Sequence, residues 1–269
     1  MRILHKTTGE VLHEVAGKSL AGTDLRGARL LFAELTDADL TGADLAGADL
    51  SSATLRGARL TGANLTSLHC SGSDAGGADF SNTRLLGATL LATNFAGANF
   101  ANADLTRACM QWANLSQVAF TNAVMQGANL SRTALHGANL QGADFGEADL
   151  RFADLSGADL QGANFADANL TEAKLAGANL RHADLTRTNL SGAELDGARL
   201  HDAIFSKTVL VRCATLHRAE GLDAVRHNAD SWMDLRTLRA LARDLCDDFL
   251  AGIGLEAHDI AVLRAPAKS

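Results

Sequence analysis

The chain has 269 residues, with 31 acidic against 24 basic side chains, a net charge of −7, one proline and no tyrosine. Hydrophobic residues make up 47%, yet much of that is Ala, and no run approaches the roughly 18 apolar residues that a membrane span needs. The start, Met1-Arg2-Ile3-Leu4-His5-Lys6, lacks the apolar stretch of a secretory leader, so a cytoplasmic protein with neither a membrane partner nor direct nucleic-acid binding is expected.

Residues 1–19 hold Ile3, Leu4, Val11, Leu12 and Val15 around Thr8-Gly9, which predicts a short β-hairpin. From Leu20 to Leu210 every fifth residue is apolar or small without a break in register. That makes 39 consecutive units of the form Ala43-Asp44-Leu45-Ala46-Gly47. The central position is Leu in 28 units and Phe in seven, with Cys70, Ala75, Met110 and Met125 completing the set. Two residues earlier stands Ala in 29 units and Thr in six. A period of five fits neither a 3.6-residue helix nor the two-residue alternation of a strand. It requires a coil that turns a corner once per unit, so the chain is a solenoid. One large and one minimal inward side chain per edge would fill a narrow, close-packed interior, and Gly or Asn after the centre suits a corner.

The repeat A(D/N)LxG resembles that of the pentapeptide-repeat family. The resemblance implies an all-β fold, a right-handed quadrilateral β-helix of about ten coils, with four units per 20-residue coil and the three other positions facing outward. The sequence tests the 20-residue coil independently, because residues one coil apart should be neighbours at about 4.8 Å. Just before the central residue, opposite charges fall 20 apart at Arg29/Asp49, Asp39/Arg59, Arg59/Asp79, Arg84/Asp104, Asp154/Lys174 and Lys174/Glu194, against the single like pair Asp24/Asp44. Phe80, Phe100 and Phe120 would share one column, and Phe145 and Phe165 another. In the segment 66–77, Leu68 stands where Ala is usual while Cys70 and Ala75 replace large centres. Looser or bulged packing is expected there.

After Leu210 the code fails at Thr215. Leu235, Leu238, Leu241 and Leu245 then follow helical spacing, with Ser231 or Asp230 placed to cap the start. Phe249-Leu250-Ala251-Gly252 predicts a second short helix and Glu256 to Leu263 a third. The expected organisation is a hairpin cap over 1–19, the β-helix over 20–212 and a small α-helical C-terminal cap or dimerisation module over 213–269. The tail also resembles a helical module that follows pentapeptide repeats in some bacterial proteins. In several of those a Toll/interleukin-receptor-like domain comes next, and with Ser269 last none is expected here. Capping helices in the quinolone-resistance members join two subunits, which implies a homodimer here through Leu235, Leu238, Leu241, Leu245 and Phe249.

Candidate chemistry is sparse. The sequence holds no nucleophile–base pair and no Gly-rich loop between strand and helix, so no enzyme is expected. Cys70, Cys109, Cys213 and Cys246 are scattered without CxxC spacing, and the nine His residues make no metal signature. Neither a cofactor nor a metal is expected.

Two function classes remain. One is a rigid scaffold that binds an unidentified protein partner. The other, implied by the resemblance, is a DNA mimic that occupies gyrase or another type II topoisomerase and protects it from inhibitors, in antibiotic resistance or self-immunity. Residues 20–210 carry 20 acidic and 13 basic side chains. Ten coils span about 48 Å, a length over which duplex DNA carries on the order of 28 charges, so mimicry along the whole rod is weak. The acids concentrate at Asp144, Glu147, Asp149, Asp154, Asp159, Asp167 and Glu172, with Arg151 as the one base among them, and again between Glu34 and Asp49. Between them lies a nearly neutral waist with Leu86, Leu91, Trp112 and Val124 at outward positions. A contiguous apolar set of this kind would mark a contact surface. The candidate partner contacts are therefore Asp144, Glu147, Asp149, Asp154, Asp159, Asp167 and Trp112.

Overall fold

A computed structural model describes residues 1–265, so Pro266 lies outside the described residues. Strands β1 (Arg2–His5) and β2 (Val11–Glu14) form an antiparallel hairpin, and β1 also pairs with β3 (Ala33–Glu34) in the first coil. Ile3 is buried against that coil, and the Lys6 ammonium lies 5.7 Å from the Phe32 ring centroid. The hairpin thereby occupies a strand edge that would otherwise invite pairing with another chain.

Parallel bridges join each residue before a centre to the residue 20 further on, from Asp24↔Asp44 to Asn189↔Val209. All six opposite-charge pairs expected from the sequence are bridged partners, although of these only Asp39–Arg59 closes an ion pair, at 2.9 Å. Backbone bonds build the ladder: the Leu45 N–H donates to Asn64 O (2.8 Å), and the Asn64 N–H donates to Ala43 O (3.0 Å). Within a coil, the Ala48 N–H donates back to Leu45 O (2.9 Å), closing a four-residue turn. Gly47 has φ +65° in that turn. Positive φ at the third turn residue defines a type II turn, and this is the physical reason for Gly at the end of the repeat.

Inward positions are filled as the code requires. Centres from Leu45 to Leu65 and from Leu140 to Leu200 are buried, and so are the Ala residues two before them. Phe100 stacks between Phe80 (4.7 Å) and Phe120 (4.9 Å), and Phe145 on Phe165 (4.9 Å). The residues before the centres are half-buried rather than exposed at Asp44, Asp149 and Asp159, and Asn179 is buried. Neighbours in the coils on either side cover them, a screening that alternation along one chain does not reveal.

The expected bulge at 66–77 does not occur. Bridges run through His69 and Asp74 in register with both neighbouring coils. Leu68 and Cys70 are both buried, so the larger side chain and the smaller one exchange places within a unit. Phe95, one coil beyond Ala75, meets Phe80 edge-on at 5.5 Å, which returns the volume that Ala75 gives up.

The ladder also passes the expected boundary at 212/213. Pairing continues at Arg199↔Glu220 and Val209↔Trp232, and β4 (Ile204–Ser206) pairs in parallel with β5 (Arg226–Ala229). The register therefore grows from 20 to 21, then 22 and finally 23 residues. Short 3-10 turns at Leu216–Arg218 and Leu222–Ala224 absorb the extra length, with Cys213, Leu216 and Leu222 still inside. Helices α1 (Leu235–Leu241), α2 (Asp247–Gly252) and α3 (Ala257–Arg264) close this end. The cap of α1 is Asp234 and not Ser231 or Asp230, because its carboxylate accepts from the Thr237 N–H (3.0 Å) and from the Arg212 N–H of the coil (2.9 Å). The Thr237 hydroxyl is foremost among the donors that hold the Asp234 pKa down to about 2.

Candidate functional site

The local chemistry of the repeat decides what its carboxylates can do. An Asp before a centre accepts a hydrogen bond from the backbone N–H two residues on, an Asx turn that closes the corner. Asp144 accepts from the Gly146 N–H (3.0 Å), from Asn164 Nδ2 (2.8 Å) and from Gln126 Nε2 (2.6 Å). Asp159 accepts from the Gln161 N–H (3.3 Å) and from Asn179 Nδ2 (2.8 Å). Asp149 accepts from the Arg151 N–H (3.1 Å) and guanidinium (2.8 Å), and Asp154 from the Ser156 N–H (3.0 Å). Burial opposes ionisation of Asp149 and Asp154. At Asp149 the Arg151 bonds outweigh it, and at Asp154 those from Ser156 do, so both carboxyls sit below their ordinary pKa. Asp167 is held down by its ion pair with Arg187.

The acids that are adjacent in sequence are also dispersed in space. Asp144, Asp149, Asp154 and Asp159 belong to four different bridge ladders, each with its own neighbours above and below. One therefore points from each side of the coil, and they do not form a single negative patch. Glu147 and Asp167, 20 residues apart, do share a corner, where they line a shallow groove with Arg107 and Gln126. No cluster of three metal-ligating side chains occurs among the described residues. Cys70 and Cys213 are buried thiols, pushed up to about 11 and about 12 by desolvation, as befits core positions.

The apolar residues of the waist divide between two corners. Leu86 and Val124 are exposed on one side, whereas Trp112 stands on another corner, near the half-buried Leu91. Sequence reading overlooks Phe152, which lies 40 residues (two coils) beyond Trp112 on the same corner. The 20-residue spacing is the signal that finds it. Trp112 is 61% exposed and Phe152 is 48% exposed. Between them Arg132 places its guanidinium 4.7 Å from the Phe152 ring centroid.

Of the residues expected at a dimer interface, Leu238, Leu241, Leu245 and Phe249 are buried within the chain, and Leu235 alone is exposed. Phe249 packs on Phe205 (6.0 Å) and on His227 (5.4 Å). Most of the apolar surface of the helices is thus consumed in covering the last coil. Trp232, Leu235 and Val262 remain outward.

Stacked five-residue turns with a filled interior and outward side-chain columns define a β-solenoid repeat protein. Pentapeptide repeats match the chain in eight copies, through segments that run from 16–42 to 173–212. The chain therefore belongs to the pentapeptide-repeat family, and the right-handed β-helix follows from that membership. Among solved structures it is 35% identical to HetL, a pentapeptide repeat protein involved in heterocyst differentiation regulation from Nostoc sp. strain PCC 7120. That match covers 76% of this chain and 89% of HetL, with a TM-score of 0.45. It is 37% identical to a pentapeptide repeat protein from the Arabidopsis thaliana thylakoid lumen, over 34% of this chain and 63% of that one (TM-score 0.33). It is 21% identical to QnrB1, a plasmid-mediated fluoroquinolone resistance protein, over 71% of this chain and 94% of that one (TM-score 0.41). No curated protein matches the chain. Among the described residues no helix is long and apolar enough to cross a membrane.

Proposed function

We propose that this chain is a non-enzymatic, cytoplasmic scaffold whose rigid coil presents side chains to a protein partner. The observation that carries the reading is the contrast between its two kinds of outward residue. The carboxylates before the centres spend their oxygens on corner turns and on neighbouring coils. Trp112 and Phe152 project into solvent, and aromatic side chains of this kind anchor protein interfaces.

The topoisomerase-directed DNA mimic has less support. A mimic needs phosphate-like charges aligned on one surface, and Asp144, Asp149, Asp154 and Asp159 are distributed over four ladders. The helices following the β-helix serve in this proposal as a cap over the last coil. Any homodimer would rest on Trp232, Leu235 and Val262, the apolar side chains they leave outward.

Affinity capture from cell lysate with quantitative mass spectrometry tests the scaffold. Wild type should enrich one protein strongly, Trp112→Ala/Phe152→Ala should lose it, and Asp149→Asn/Asp154→Asn should retain it. Enrichment of nothing beyond a blank matrix would overturn the proposal. Gyrase relieved of drug inhibition by wild type, but not by the Asn variant, would replace it with mimicry.

A further inference from the structure

Trp112, Arg132 and Phe152 occupy successive coils at the same corner, so their side chains form a ladder with steps of about 4.8 Å. All three have left-handed backbone, with φ of 60°, 61° and 59°. The repeat places this conformation at the same turn position of every unit from Gly22 to Arg212, so the three side chains project outward alike. The neighbouring rungs offer no free charge: one is Ala92, and the other, Glu172, is bound by Arg212 (3.0 Å), for which Gly192 leaves room. Beside the ladder, Arg151 is bound to Asp149 (2.6 Å). Arg132 makes no ion pair among the described residues and instead lies over the Phe152 ring. In a chain of net charge −7, this corner offers an aromatic, a cation without a carboxylate and a second aromatic, in that order.

The N–H groups of Trp112, Arg132 and Phe152 donate to the next coil at Ser131, Arg151 and Thr171. An added strand would find no N–H to pair with at these residues, and their side chains are what distinguish this corner from the others. An α-helix laid along the rod matches the ladder. Seven residues of helix rise about 10.5 Å, against about 9.6 Å for the two steps from Trp112 to Phe152. Three or four residues rise about 4.5–6 Å, which places a middle side chain opposite Arg132.

We propose that the corner Trp112–Arg132–Phe152 is a docking ladder for a partner helix carrying two apolar residues seven apart with an acidic residue between them. The two apolar side chains cover the aromatic faces, and the carboxylate meets the guanidinium, whose position is preset by the Phe152 ring. The ladder is the binding centre of the scaffold proposed above and rests on that reading.

The test uses the full chain with Trp232→Phe, which leaves Trp112 as the sole tryptophan. The probe is an alanine-rich helical peptide containing Leu-x-x-x-Glu-x-x-Leu, with a matched peptide carrying Lys in place of Glu. The Glu peptide should shift the Trp112 emission saturably. It should bind at least about tenfold more weakly to Phe152→Ala, and Arg132→Glu should reverse the preference in favour of the Lys peptide. All three positions are on the surface, so the variants should stay folded, with circular dichroism melts no more than a few degrees below wild type. No saturable response up to millimolar peptide, equal response to both peptides, or equal response to a proline-broken peptide would overturn the ladder. If capture of a partner persists when the peptide fails, the helix-docking ladder is wrong and the scaffold reading stands. If both fail, the scaffold reading falls with it.

Discussion

Phe100→Ala should be among the most damaging substitutions in the coil. The ring is fully buried, stacked on Phe80 at 4.7 Å with planes 4° apart and on Phe120 at 4.9 Å, with Phe95 edge-on at 5.1 Å. Truncation of a core Phe to Ala costs about 3–5 kcal/mol, and each aromatic pair carries about 0.5–1.5 kcal/mol beyond its buried area. Three pairs vanish at once, and the ladder bonds hold the coils apart so that the cavity cannot close. The upper end of the range, about 5 kcal/mol, is expected. Phe152→Ala removes a half-exposed ring and one cation–π contact, worth about 0.5–1 kcal/mol at such a site. Urea unfolding followed by circular dichroism measures both. Because each coil contacts only its neighbours, hydrogen exchange across residues 80–120 should show the loss to be local. Equal destabilisation by the two substitutions would refute the inward and outward assignment of the repeat.

The uninterrupted ladder through 66–77 predicts that its amides exchange as slowly as those between 140 and 200, and rapid exchange confined to 66–77 would expose a packing fault. Asp234→Ala should destabilise α1 by about 1 kcal/mol through loss of its N-cap, seen as faster exchange of α1 amides, while Asp234→Asn retains most of the protection. His227 is wedged between Phe205, Phe249 and Gly252, with no partner for either ring nitrogen among the described residues, and burial lowers its pKa. A base whose folded-state pKa lies below the unfolded value of about 6.5 contributes its full stability above that pH and loses it as pH falls through the folded value. Protection of α2, corrected for intrinsic exchange, should therefore drop relative to the coils below pH about 6.5, and His227→Leu should flatten the profile.

Much of this fold is legible in the chain itself, because a two-position code repeated at a fixed period leaves few backbones that satisfy it. Opposite charges at Arg29/Asp49 and Asp154/Lys174 even report the length of the coil. Other features escape for identifiable reasons. Thr215 breaks the code, yet the coil continues to Trp232 because short 3-10 turns absorb one to three additional residues without disturbing the inward set. The Asp residues before the centres read simply as outward-facing, because an Asx turn is a matter of hydrogen-bond geometry, which composition does not show. The acids from Asp144 to Asp159 look like a patch only when followed along the chain. Folding every 20 residues back on themselves sends them to four sides and brings Trp112, Arg132 and Phe152 together.

The scaffold claim is tested most directly by a photo-crosslinking amino acid placed, one position at a time, at Trp112, Phe152 and Gln117 in living cells. Gln117 is exposed on the next corner, five residues beyond Trp112 in the same coil. Adducts with one and the same protein are expected from positions 112 and 152, and none from 117. Adducts equally frequent at all three positions, or absent from all three, would contradict the scaffold claim.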